Sequence, residues 1–266
     1  TGNFAKNVTG HVDLQYLGNF GDQLTPQWGY NYPPDQAFDA YNNWGGNGIN
    51  LYQGYINVAK IGGSDFGLRL GRQESTYGTE LFMGDNNYYG GLSFDGLRGM
   101  WQHGSSDLNI FYYKLAEENG FVPTPGAGGG ANDSDLFGAT YDWKFKTMGT
   151  LGGYILFAQD MGGAGPIGSG FPAYFPSDNS IATYGARWNR GMMDGDKLNM
   201  FDWNVEAAVQ DGDAGDPSVI PGGNPSIKLT GWIFEGWFAF NFNAGDSHGR
   251  VHIGTLMTSG DDPNTA

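Results

Sequence analysis

Residues 227–246, IKLTGWIFEGWFAFNFNAGD, constrain the fold more than any other stretch of the chain. Trp232, Phe234, Phe238, Phe240 and Phe242 fall on one phase of a period-two alternation, while Glu235, Trp237 and Asn241 fall on the other. Successive strand side chains point to opposite faces, so this is a strand with one apolar and one partly polar face. A helix, turning by about 100° per residue, would scatter the five aromatics around its cylinder. The apolar face needs either a protein core or a membrane against it.

Composition points to the membrane. Only 15% of the 266 residues are charged, against about 25% in an ordinary globular domain. Aromatic residues also make up 15%, and there are 47 glycines. No amphipathic helix is legible, and no apolar run approaches the roughly 18 residues of a spanning helix. The start at Thr1 carries no leader pattern and fits a processed chain. The absence of cysteine excludes disulfides and thiolate metal sites and is compatible with a periplasmic route. A net charge of −15 argues against nucleic acid as a partner.

The same alternation recurs along the chain. Val12, Leu14 and Tyr16 oppose His11, Asp13 and Gln15; Tyr52, Ile56 and Val58 oppose Gln53 and Asn57. Phe137, Ala139, Tyr141, Trp143 and Phe145 oppose Thr140, Asp142, Lys144 and Lys146. Ala182, Tyr184, Ala186 and Trp188 oppose Thr183 and Arg187, and Phe201, Trp203, Val205, Ala207 and Val209 oppose Asp202, Asn204, Glu206 and Gln210. Segments 108–115 and 150–159 are apolar on both phases, which leaves their facing open. About eleven such segments can be counted, each near the ten residues that a tilted strand needs to cross a bilayer.

The connections alternate in length. Long ones fall at about 22–48, 78–91, 117–135, 161–180 and 211–226. Short ones lie at 62–64, 103–106, 147–149, 193–196 and 245–248, and their glycines supply the positive φ of tight hairpins. Short turns at one end and long loops at the other mark an all-β, antiparallel, up-and-down transmembrane barrel with its short turns in the periplasm. A soluble β-rich domain is the other reading of the alternation. Eleven strands would leave the two termini on opposite sides, so residues 1–266 are expected to form one barrel domain truncated at its C-terminal end. A twelfth strand near the amino terminus is the alternative.

Segment 68–78, LRLGRQESTYG, is followed after a loop by Phe94-Asp95-Gly96-Leu97-Arg98. This pair of motifs resembles the alginate export family of outer-membrane porins, as does the TSGDDP of residues 258–263. The resemblance is sharpest over residues 66–101. It implies a barrel of about 16 to 18 strands that carries polysaccharide or other polar solutes without catalysis.

On the alternation alone, Arg69 and Gln73 share the face opposite Leu68 and Leu70, and Arg98 opposes Leu97 and Trp101. The expected pore lining is Arg69, Gln73, Arg98, Asp142, Lys144, Arg187, Asp202, Glu206 and Glu235. Arg72 falls on the lipid phase, and Asp95 is a candidate partner for an arginine on the neighbouring strand. Arg69 and Arg98 therefore have two readings: members of cross-strand ion pairs that fix register, or part of a ladder for an anionic sugar. Because this lining carries both signs, neutral or cationic cargo is as well supported as a uronate polymer.

Trp28, Tyr30, Tyr32 and Trp44 cluster in the first long loop, where they would stack on sugar rings or pack the loop inward. Asp211, Asp213 and Asp216 offer the oxygen ligands that Ca²⁺ prefers, without the distal glutamate of an EF-hand. No nucleophile, base and orienter set stands out, so neither catalysis nor a cofactor is expected. The expected partners are outer-membrane lipid and lipopolysaccharide, small polar or saccharide solutes, and a protein partner or further copies of the chain. Two functional classes stay open: a conducting porin, and a scaffold barrel that loops plug or a partner protein threads.

Overall fold

The computed structural model describes residues 1–17, 48–84, 93–116, 133–161, 178–194, 197–215, 226–244 and 247–259. They form β1 (Gly2–Ala5), β2 (Val8–Leu17), β3 (Gly48–Val58), β4 (Phe66–Gln73), β5 (Phe94–His103), β6 (Ser106–Ala116), β7 (Asp133–Phe145), β8 (Gly149–Met161), β9 (Asp178–Arg190), β10 (Met193–Asp194), β11 (Lys197–Leu198), β12 (Phe201–Gly215), β13 (Ser226–Ala244) and β14 (Ser247–Thr258). Twelve of these make one antiparallel sheet in the order β1-β2-β3-β4-β5-β6-β7-β8-β9-β12-β13-β14. The two-residue strands β10 and β11 pair with each other in the turn between β9 and β12. Among the described residues there is no α-helix, and β1 and β14 are not paired with each other. The fold is thus the up-and-down meander of a transmembrane barrel, with the sheet not closed.

Alternation decides which face each side chain takes. Ile110, Tyr112, Leu151, Ile155 and Phe157 are exposed on the outward face, whereas Phe111, Tyr113, Tyr154 and Leu156 are buried inside. This settles β6 and β8, whose two apolar phases gave no facing from sequence. At the short-turn end the outward face carries an aromatic belt, in which rings stack as Trp143–Phe145 (5.1 Å), Phe201–Phe238 (5.4 Å) and Phe240–Phe242 (5.9 Å). At the long-loop end, Arg72, Asp95, Lys114 and Asp135 are successive register partners across β4 to β7. Arg72 pairs with Asp95 at 2.7 Å, and Lys114 with Asp135 at 3.2 Å. Belt and ladder bound a greasy band; on β7, Asp135 and Phe145 stand ten positions apart, matching the roughly 9–11 residues of a tilted spanning strand.

Four expectations are corrected. The sheet has a twelfth strand, β1, whose four residues are too few to show a period. Tyr52 does not share the face of Ile56 and Val58: the register steps from Asp13–Gln53 to Leu14–Leu51, leaving Tyr52 as the extra residue of a bulge. The bulge turns Tyr52 inward, where it is buried and donates to Glu74. β12 runs on to Gly215, so Asp211 and Asp213 belong to a strand and not to the start of a loop. Finally, the turn expected at 193–196 spans the whole interval between β9 and β12 and contains the β10–β11 hairpin.

The inward face has its own core: Met83, Phe111, Tyr113, Leu136, Tyr154, Leu156 and Ala208, with Tyr77, Phe82, Phe94 and Leu115 against it. Three of these, Tyr77, Phe82 and Met83, come from the connection after β4. That segment lies inside the curl of the sheet.

Candidate pore constriction

The chain leaving β4 turns into the lumen and doubles back. Tyr77 and Met83 form an antiparallel bridge, with the Tyr77 N–H donating to the Met83 carbonyl at 3.0 Å. Glu80 takes a left-handed conformation (φ 66°), and its N–H donates to the Tyr77 carbonyl at 3.1 Å. Phe82 and Met83 supply the apolar side of this small hairpin and pack near Tyr154 and Leu156.

Its polar side clasps the far wall, made of β7, β8, β9, β12 and β13. The Tyr77 hydroxyl donates to Asp142 Oδ1 at 2.8 Å, and its ring meets Tyr154 edge-on at 5.4 Å. Arg187 holds the same carboxylate through Nη2–Oδ2 (2.8 Å) and Nε–Oδ1 (3.3 Å), with its guanidinium 4.4 Å from the centre of the Tyr77 ring. Burial, and after it the bond to Asp142, pushes the Tyr77 hydroxyl above its ordinary pKa, so it stays a donor. Thr79 reaches further: its N–H donates to Glu206 Oε2 at 3.0 Å, and its hydroxyl lies 3.1 Å from Glu206 Oε2 and 2.9 Å from Glu235 Oε2. The Tyr154 hydroxyl donates to Glu206 Oε1 at 2.9 Å. Glu206 and Glu235 are cross-strand neighbours, and Glu206 is 1% exposed. Gly78 makes the approach possible: its φ is +67°, and a Cβ there would stand 2.5 Å from Glu206 Oε2.

The near wall, β3 to β6, is different. Arg69 and Arg98 are direct register partners on the inward face. Among the described residues neither pairs with an acid; the ion pair across β4 and β5 is made by Arg72, which takes Asp95 on the outward face. Arg69 lies 4.2 Å from the centre of the Tyr55 ring, on which His11 stacks at 5.0 Å. Arg69 Nε is buried without an acceptor among the described residues. Arg98 Nε donates to Asn109 Oδ1 at 3.0 Å, and Asn109 in turn donates to Asp107 at 2.9 Å.

The remaining expected lining residues divide. Asp202 is 1% exposed and is neutralised by Arg250 at 2.6 Å, with Asn241 donating at 2.5 Å. Gln73 is fully buried and ties itself to the carbonyls of Gly71 and Gly96, so it joins β4 to β5 instead of facing the pore. Lys144 is exposed at the short-turn end of β7. Asp211 faces Lys228 at 3.7 Å, and among the described residues no group of three acids or histidines gathers to hold a metal ion. Trp28, Tyr30, Tyr32, Trp44 and Asp216 lie outside the described residues.

Sequence reasoning missed the roles of Thr79, Tyr154 and Arg250. Arg250 was findable, since it alternates with Val251 and Ile253 through His252. Thr79 had no periodic signal, because a loop residue carries no strand phase.

The inward charges are therefore not evenly mixed. Asp142, Asp202 and Glu206 are each engaged by partners, whereas among the described residues Arg69 and Arg98 reach no carboxylate directly. A family model described as alginate export matches residues 36–265 of the chain. No curated protein matches it.

Proposed function

We propose a channel function for this chain, which belongs to the alginate export family: it forms the wall of an outer-membrane pore that passes polar solutes and saccharide chains. The observation that carries the reading is the inward Arg69–Arg98 pair, which meets no carboxylate among the described residues and lies beside a hairpin that narrows the lumen. Two adjacent guanidiniums present fork-shaped donors that match a carboxylate bidentately. A sugar acid passing between them and the hairpin would exchange hydration for these donors, as selectivity rings of charged side chains do. The sequence alone left uronate cargo no better supported than neutral cargo; the engagement of the acids by Tyr77, Thr79, Arg187 and Arg250 tips the balance towards anions.

The test is conductance of the full-length protein in a planar bilayer with oligouronates and neutral oligosaccharides added in turn. Block by oligouronates, relieved by Arg69→Gln with Arg98→Gln, supports the reading. Equal block by both sugar classes, unchanged in that variant, sinks it. The hairpin also supports a second reading, a plugged barrel; absence of conductance both in the native protein and after shortening residues 75–83 would favour that one.

A further inference from the structure

The membrane-facing surface carries a recess that the pore does not use. It is a groove of about 610 Å³ at the short-turn end of β9, β12 and β13. Its floor is Val205 and Gly236, which are cross-strand partners, and its walls are Trp188, Trp203, Phe234 and Phe238. The row on the short-turn side ends in Arg190, the register partner of Trp203. Arg190 is on the outward phase with Trp188, two positions before it. Its guanidinium lies 5.5 Å from the centre of the Trp203 ring, and its Nη2 donates to Asn199 Oδ1 at 2.7 Å. Asn199 is itself buried and fixed by donating to the Gly191 carbonyl at 2.9 Å and accepting from Asn241 at its own carbonyl, also at 2.9 Å. Arg190 has no carboxylate partner among the described residues.

We propose that this groove binds an anionic phospholipid of the periplasmic leaflet, with an acyl chain in the recess and the phosphate on Arg190. An apolar recess within the greasy band is covered by lipid in any barrel; what singles this one out is the cation at its mouth. A guanidinium on the outward face, at the level of the aromatic belt, stands where lipid phosphates lie. Trp203 and Asn199 hold it there, and among the described residues four of its five N–H donors have no acceptor, which leaves them for phosphate oxygens. The ladder at the opposite end lacks this property, since Arg72 and Lys114 each face an aspartate.

The inference rests on the membrane-spanning reading, and the experiment separates the two. The full-length protein is purified in detergent, stripped of lipid, and titrated with phosphatidylglycerol and with phosphatidylethanolamine while bound lipid is counted by native mass spectrometry. The native protein is expected to retain phosphatidylglycerol about tenfold more tightly than phosphatidylethanolamine. Arg190→Gln should abolish that preference, and Val205→Phe, which fills the recess, should weaken retention of both lipids. Resistance to SDS at room temperature reports that each variant is folded. Equal retention of the two lipids by native protein, or an unchanged preference in Arg190→Gln, overturns the proposal while leaving the barrel intact. A protein that stays monomeric without detergent overturns the membrane reading as well.

Discussion

The two walls of the lumen begin with comparable charge and end differently. The far wall presents Asp142, Glu206 and Glu235, and the hairpin after β4 takes all three with Tyr77 and Thr79, helped by Arg187. The near wall presents Arg69 and Arg98, which among the described residues meet the Tyr55 ring and Asn109 and no carboxylate. The difference lies in what the inserted hairpin carries: two hydroxyls and a backbone N–H aimed at acids and, among its described residues, no carboxylate paired with the arginines. Charges that look evenly mixed by counting are thus unequally engaged among the described residues: the far-wall acids accept hydrogen bonds, and the near-wall arginines meet no carboxylate. Partner supply, more than the tally of charges, sets what a pore offers its cargo.

The contrast can be broken most severely at the hairpin. Gly78→Leu puts a side chain against Glu206 in a left-handed backbone conformation, so the hairpin should leave the far wall. The expected outcome is a severalfold rise in single-channel conductance and a loss of anion preference, because Glu206 and Glu235 are uncovered. Arg187→Gln acts on the same wall but leaves the backbone alone. It strands Asp142, which is 17% exposed beside the arginine's 14%, and should cost about 3 kcal/mol in denaturant unfolding. On the near wall, Arg69→Gln with Arg98→Gln removes charges that meet no carboxylate among the described residues. Stability should change little, while oligouronate block weakens about tenfold and the reversal potential moves towards cations. The smallest effect is expected outside the lumen: Asp95→Ala breaks the ion pair with the half-exposed Arg72 and should cost less than about 1 kcal/mol.

Most of the wall was legible in the sequence because strand facing is a local property. Trp232 to Phe242, Phe137 to Phe145 and Phe201 to Val209 each declare their faces by alternation alone, and the structure keeps them. Local period fails where one residue is inserted, as at Tyr52, or where a strand spans no more than two periods, as in β1. It also says nothing about partners. That Arg69 faces Arg98 and not Gly96 or Met100 depends on register, which the alternation leaves free by steps of two. The phase of Asp142, Glu206 and Glu235 can be read from the sequence, yet the hydroxyls that bond to them come from a loop that crosses the lumen from β4 to β13. The sequence places the connection at about 78–91, whereas β4 ends at Gln73, and Tyr77, Phe82 and Met83 share a period with no strand that would have marked their inward turn.

The central claim is that the hairpin spans the lumen and closes on the far wall. Native cysteine is absent, so a single pair can be introduced without background. Thr79→Cys with Glu235→Cys in the full-length protein, treated in intact outer membranes with a short bifunctional thiol reagent, tests the contact directly. Glu206→Cys with Glu235→Cys, which are register partners in the wall, serves as the positive control. The account predicts that both pairs cross-link. A control pair that cross-links beside a Thr79–Glu235 pair that does not would place the hairpin elsewhere and contradict it.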